Sequence, residues 1–382
     1  MAAMKEVKVI ANYLPQFHSI PENDAWWGEG YTEWVAVKNS KPLYKGHNQP
    51  RVPEGENYYR LDDVNEIRRQ AKLARDHGIY GFGIYHYWFS SELHLLDKPV
   101  FLLHENPDID INYMFIWDNS SWKRTWSNVK FGNDWSSVYG GEKPQQQTGT
   151  GLLAELKYGG EEEWTKHFEY LLQFFKDERY IKIDNKPVFG FYNQNNEPEV
   201  LAKMCECWNR LAIEAGFAGV FCLGKRNNQN ISIMEYEFLY QPEWDGWLWH
   251  TLAQRLYFRG KQELSKRTNR PMKYNYDRIW KRVLRSAEES ADQDVFYSGF
   301  VAYDDSPRRG GKSRIVTHES PAKLEKYLSR LLKLSARQDK EYVFLTAWNE
   351  WGEGAYLEPD TTNGKAYLEA VKKAVDSAAA EE

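Results

Sequence analysis

Glu350 and Glu353 lie three residues apart in "TAWNEWGEGAYLEPD", residues 346–360, with Trp348 and Trp351 beside them and Gly352 and Gly354 between and after. Two carboxylates close in sequence are the minimum for paired acid and base work on one bond, as in cleavage of a glycosidic link. The indoles add flat apolar faces that suit the C–H side of a sugar ring. In an extended chain, residues three apart point to opposite faces, so both acids reach one pocket only if the backbone turns between them. Gly352 is the residue expected to permit that turn. Spacing alone leaves open a solvated loop carrying two surface acids.

The elements that would position such a pair are legible around it. Short apolar runs begin at Val7, Ile79, Ile111, Lys186, Gly219, Phe238, Val295 and Tyr342. Most are continuously apolar rather than alternating, which predicts strands buried on both faces. Helical patterns follow many of them. One runs from Asp62 to Gly78, and others begin at Glu161, Glu197 and Ser320, with a last one closing the chain. Their starts carry acids, Ser or Pro, and Gly ends the first. Repeated strand–helix alternation predicts a single (β/α)8 TIM barrel over residues 1–382, with long aromatic loops at 118–160 and 242–274.

The predicted strands share a second property, because each ends in polar and aromatic residues. His18, His86 with Tyr87, Trp117 with Asp118, Tyr192, Glu243 with Trp244, and Asp304 all lie at or just past such ends. A barrel gathers those ends on its catalytic face. These residues, with Trp27, Trp34, Trp348 and Trp351, are therefore the expected substrate-binding set around Glu350 and Glu353.

Composition narrows the function class. The net charge of −5 gives no support for a nucleic-acid binder. No stretch reaches 18 apolar residues, so no membrane span is expected. No leader-like segment opens the sequence, which reads as cytoplasmic, or periplasmic if a leader has been removed. Cys205, Cys207 and Cys222 have no second ligand pair at zinc-binding spacing, and no G-x-G-x-x-G follows a strand. No metal and no cofactor is expected. Asp304-Asp305 as a metal pair, His18, His47 and His86 as a metal trio, and Arg308–Lys312 as an anion site are weaker readings than hydrogen-bonding, core and solvated-loop roles.

The opening "YLPQFHSIPENDAWWGEGYTEWVAVKNSKPLYKGHNQPRVP" resembles the start of the WbsX-type proteins, relatives of the glycoside hydrolase family 99 endo-α-mannosidases. "YIKIDNKPVFGFYN" and "AWNEWGEGAYLEP" resemble further blocks of that group, so the likeness covers nearly the whole chain. It implies a (β/α)8 barrel and a retaining hydrolase in which Glu350 deprotonates the sugar 2-hydroxyl. That oxygen then attacks the anomeric carbon to form a 1,2-anhydro sugar, while Glu353, with a raised pKa, protonates the leaving oxygen. Asp118 and Ser120 depart from the family's usual alanine and glutamate, and Asp305 from its usual asparagine, which implies a different substrate. A glycosyltransferase of polysaccharide assembly and a non-catalytic carbohydrate-binding barrel are the alternatives. No nucleotide-diphosphate site is evident for the first, and the second has no need of paired glutamates.

Overall fold

The computed structural model describes residues 6–123, 152–226, 234–243 and 251–380. Eight strands form its centre: β1 (Lys8–Tyr13), β2 (Ile79–Ser90), β3 (Asn112–Trp117), β4 (Lys186–Phe191), β5 (Phe221–Lys225), β6 (Tyr236–Phe238), β7 (Val295–Phe300) and β8 (Tyr342–Thr346). Each pairs in parallel with the next in the chain. β8 returns to β1, from Lys8 opposite Tyr342 to Ala11 opposite Leu345. The sheet is therefore a closed parallel barrel, the (β/α)8 fold that the alternation predicts. β7 and β8 are buried at every residue, as runs apolar on both faces must be.

Helices cover the outside. Val64–Asp76 is capped by Asp63, whose side chain accepts from the Asn65 N–H. Pro321–Arg337 is capped by Ser320, which accepts from the Lys323 N–H. Its buried Leu324, Leu328, Leu331 and Leu332 repeat at helical spacing and form the stripe that seals it to the barrel. Truncating one of these leucines to alanine costs about 2–5 kcal/mol.

Three expectations are corrected. The sixth strand ends at Phe238, where the predicted run begins; the Leu239 N–H still donates to the Phe296 carbonyl of β7, and the residues from Tyr240 on are no longer strand. The segment read as a loop from 242 to 274 contains the helix Leu252–Thr268 and a strand from Met272 to Asn275. In the other long loop, Trp122–Lys123 pairs antiparallel with Leu152–Ala154, and residues 124–151 lie outside the described residues. Among the described residues, no helix follows β5, and none is long and apolar enough to cross a membrane.

Candidate active site

The chain after β8 is fixed before it reaches the glutamates. The Trp348 N–H donates to the Asn12 carbonyl at 2.8 Å. The Asn349 side chain accepts from the Leu14 N–H at 2.7 Å and donates to the Leu14 carbonyl at 3.0 Å. Asn349–Glu350 then pairs antiparallel with Ala355–Tyr356, and Trp351–Glu353 makes one 3₁₀ turn between them. This tight hairpin brings two acids three residues apart to the same side. Gly354, at φ 57°, supplies the left-handed residue that closes the turn. Gly352 does something else than expected. A Cβ there would lie 2.5 Å from a Glu33 carboxylate oxygen and 2.7 Å from Arg308 Nε, so glycine makes room for those two side chains.

Arg308 is the hub. It stands on the short helix Ser306–Arg309 that follows β7, and its Nη2 donates to Glu350 at 2.6 Å and its Nη1 to Glu353 at 3.1 Å. Nη2 also lies 3.1 Å from Glu33, which opens the helix Glu33–Asn39 after β1. One guanidinium thus holds three carboxylates from three different loops. Burial pushes the Glu350 carboxyl up to about 8; Arg308 pulls it down, and the Glu353 and Glu33 charges add to the rise. Burial opposes the charge on Arg308, but the three glutamates outweigh it and raise its pKa well above the ordinary value.

Glu33, Arg308, Glu350 and Glu353 line a cavity of about 320 Å³ at the C-terminal mouth of the barrel. Tyr31, Tyr85, Tyr87, Tyr192 and Tyr240 supply much of its aromatic wall. Tyr85 donates to the Tyr240 hydroxyl at 2.9 Å, and Gln16 donates to the Tyr87 hydroxyl at 2.9 Å. Tyr192 meets Tyr85 and Tyr240 edge-on. Trp27, with Tyr31 beside it, and Asp118, with Trp122 beside it, complete the rim.

Of the residues expected around the glutamates, Trp27, Tyr87, Asp118 and Tyr192 line this cavity together with Glu350 and Glu353. The indoles flanking the glutamates do not. Trp348 is wholly buried, and Trp351 stacks on Tyr356 at 3.7 Å with its N–H donated to Glu358. Trp34 packs beneath Trp351 and donates to the Tyr59 carbonyl. Trp117 is buried and donates to the Trp88 carbonyl. These rings are core, because a strand end needs large apolar packers below the surface it presents.

His86 is also internal. Its Nε2 is 2.9 Å from His167 Nε2, and burial lowers its pKa to about 3. His18 is buried and its pKa is lowered by that burial. Asp304 is turned away from the cavity toward His47 and Gln49, at 2.8 Å each. Glu243, whose N–H donates to the Gln241 side chain, does not line the cavity, and Trp244 lies outside the described residues. Arg308, read as part of a solvated run, instead has its guanidinium in the site.

A family model described as Glycosyltransferase WbsX matches residues 9–371. The chain belongs to the WbsX family. It is 28% identical over 382 residues to the uncharacterized protein WxcX of Xanthomonas campestris pv. campestris strain B100, covering 97% of this chain and 50% of that protein. The chain therefore spans about half the length of the curated relatives it matches. Among solved structures, this WbsX-family chain resembles the GH99 endo-alpha-mannosidase from Bacteroides thetaiotaomicron, at TM-score 0.56 and 14% identity, covering 97% of each chain. A "glycoside hydrolase-like protein" gives TM-score 0.56 at 13% identity, covering 98% of this chain and 95% of the other. The likeness is one of fold, a (β/α)8 barrel matched over nearly its whole length.

Proposed function

We propose that the chain is a glycoside hydrolase acting on a polysaccharide or oligosaccharide, with Glu350 and Glu353 as its acid–base pair. The observation that carries this reading is the pair itself: two carboxylates on one guanidinium, in a tyrosine-lined cavity at the C-terminal mouth of a barrel. In the route implied by the family resemblance, Glu350 takes the proton of the sugar 2-hydroxyl, whose oxygen attacks the anomeric carbon and gives a 1,2-anhydro sugar. Glu353 delivers a proton to the departing oxygen, and water opens the intermediate with retention. Arg308 orients both carboxylates.

One observation favours exchanged roles. Glu350 is the more buried of the two, with 6% side-chain exposure against 22% for Glu353. Burial raises its pKa to about 8, so at pH 7 the proton rests on Glu350, the condition of a general acid. A substrate with a good leaving group separates the two assignments, because it needs little protonation. The variant of the acid, Glu350→Gln or Glu353→Gln, keeps most of its rate on that substrate, and the variant of the base does not.

The family description names transfer rather than hydrolysis. A glycan panel incubated with purified protein, with and without added nucleotide sugars, is the test. Shorter products without nucleotide sugar support hydrolysis, whereas products that appear only with it mean that the chain is a transferase.

A further inference from the structure

The mouth of the cavity holds two polar atoms with open valences. Asp118 Oδ1 and Trp122 Nε1 are both shielded from solvent and neither has a hydrogen-bond partner. Both residues line the cavity. The indole and the Ser120 side chain are near enough to favour the Asp118 carboxylate, yet Oδ1 meets hydrogen-bond geometry with neither, so one acceptor and one donor stand side by side and unmet. The indoles of Trp280 and Trp348 also lack partners, but neither lines the cavity.

The loop that carries Asp118 and the ring of Trp122 are both held at the cavity wall. The Asp118 N–H donates to the His86 carbonyl at 3.0 Å, which ties the loop after β3 to β2. The Trp122 ring is wedged edge-on against Tyr87 at 5.0 Å and Phe89 at 5.4 Å, and Trp26 flanks it at 6.1 Å. Leaving a buried donor and acceptor unmet is unfavourable, so such a pair marks a place that a ligand completes. β3 is three strands round the barrel from β8, in the order β8, β1, β2, β3. The pair therefore sits on a different flank of the cavity from Glu350 and Glu353.

We propose that Asp118 and Trp122 form a subsite that reads one free hydroxyl of the bound sugar, the hydroxyl donating to Asp118 Oδ1 and accepting from Trp122 Nε1. The inference rests on the reading of the cavity as a glycan site, but not on hydrolysis. Only a group that both donates and accepts satisfies the two atoms together. An ammonium serves the aspartate and leaves the indole unmet. A deoxy position or a methyl ether cannot donate. A carboxylate cannot donate and is repelled by Asp118. The site thus selects glycans unsubstituted at that hydroxyl, and losing it weakens binding about ten- to a hundredfold.

The experiment uses the Glu350→Gln protein, so that binding is read without turnover. Its indole N–H resonances are followed by NMR, and the Trp122 peak is assigned by its loss in Trp122→Phe, which keeps the ring packing. The probes are methyl α-D-glucopyranoside, methyl α-D-mannopyranoside and methyl α-D-galactopyranoside, with the monodeoxy form of each at every position. At least one parent is expected to move the Trp122 peak. One of its monodeoxy forms should leave that peak in place and bind about ten- to a hundredfold more weakly. In Trp122→Phe and in Asp118→Ala, parent and that deoxy sugar should bind within about twofold of each other. A peak that no glycoside moves, or that every deoxy form moves as its parent does, overturns the proposal. If the hydroxyl is read but no glycan is ever cleaved, the hydrolase reading fails and the subsite stands.

Discussion

Asp304 and Glu350 are both buried carboxylates at the ends of adjacent barrel strands, and their surroundings drive them in opposite directions. At the end of β7, burial alone would raise Asp304. His47, the Arg51 charge, the Ser306 N–H and Gln49 together outweigh it and hold the carboxyl at about 2. At the end of β8, Glu350 has the Arg308 guanidinium, but that one cation is divided among three glutamates, and burial wins at about 8. A carboxylate with several donors to itself is a structural anchor. One that shares its cation with two other carboxylates keeps its proton near neutral pH and is available for proton transfer.

The largest break in this comparison is loss of chemistry without loss of fold. Glu350→Gln and Glu353→Gln should each lower kcat about 10²- to 10⁴-fold on the true substrate. Unfolding midpoints should stay within a few degrees of the parent. The pH profile sharpens the roles. If Glu350 is the base, kcat/KM rises toward pH 8 as its proton leaves. If it is the acid, activity falls above pH 8. Wild-type rates in both variants would falsify the catalytic assignment.

Asp304 should behave in the reverse manner. Asp304→Ala leaves His47, Gln49 and Arg51 facing an emptied site, and breaking a buried pair of this kind costs roughly 3 kcal/mol. Because its folded pKa of about 2 lies below the ordinary 3.8, Asp304 contributes stability that is present above pH 4. It is lost as pH falls through 2, about 2 kcal/mol in all. Chemical denaturation of wild type and variant at pH 3 and pH 7 checks both statements, and the gap between them should narrow at pH 3. An equal gap at both values removes the assigned cause.

For Glu350 the sign inverts. Its folded pKa of about 8 lies above the ordinary 4.5, so the native state holds a proton that the unfolded chain releases. Stability from this group is present below pH 4.5 and is lost as pH rises toward 8. Glu350→Gln cannot ionise, and its amide oxygen can still accept from Arg308. The variant should therefore gain stability relative to wild type by roughly 3 kcal/mol between pH 5 and pH 8. A variant that gains nothing over that range contradicts the comparison.

The sequence made the barrel readable because β-runs such as Tyr342–Thr346 are apolar on both faces and helices such as Pro321–Arg337 carry Ser caps and leucine stripes. β6 was misplaced because its three residues are too short for periodicity to register against the apolar residues that follow. At the site, the rule that strand ends face the pocket located Tyr87, Asp118 and Tyr192, but it does not distinguish the residue that points up from the one that packs below. Hence Trp117, Trp348 and Trp351 were expected in the pocket and are core. Arg308 and Glu33 were missed because an arginine after "DDSP" and a glutamate in "YTEW" look solvated until the fold brings them together. Their one sequence-level trace is Gly352, whose missing side chain is explained by those two groups.

Glu358 supplies the smallest effect and an intermediate case between the two carboxylates. It is buried beneath the hairpin, accepting from the Tyr59 hydroxyl at 2.7 Å, the Trp351 N–H at 2.8 Å and the Gln70 amide at 3.1 Å. Tyr59 in turn receives Asn349, so Glu358 backs both residues that bracket Glu350. It has many donors, as Asp304 does, but its nearest guanidinium, Arg69, is 3.7 Å away, and burial raises its pKa to about 7. Its native form is thus close to neutral, and an uncharged isostere should nearly replace it. Glu358→Gln keeps one accepting oxygen for Trp351 and Tyr59, turns an amide toward Gln70, and should cost about 0.5–1 kcal/mol with kcat within about twofold of wild type. The folded pKa lies above the ordinary 4.5, so the stability from the wild-type carboxyl declines between pH 4.5 and 7 while the glutamine's does not. The deficit of the variant should be largest below pH 4.5 and should reverse before pH 7, because that decline comes to roughly 3 kcal/mol. A deficit that grows with pH would mean that Glu358 is held ionised by Arg69, which would make it an anchor of the Asp304 kind.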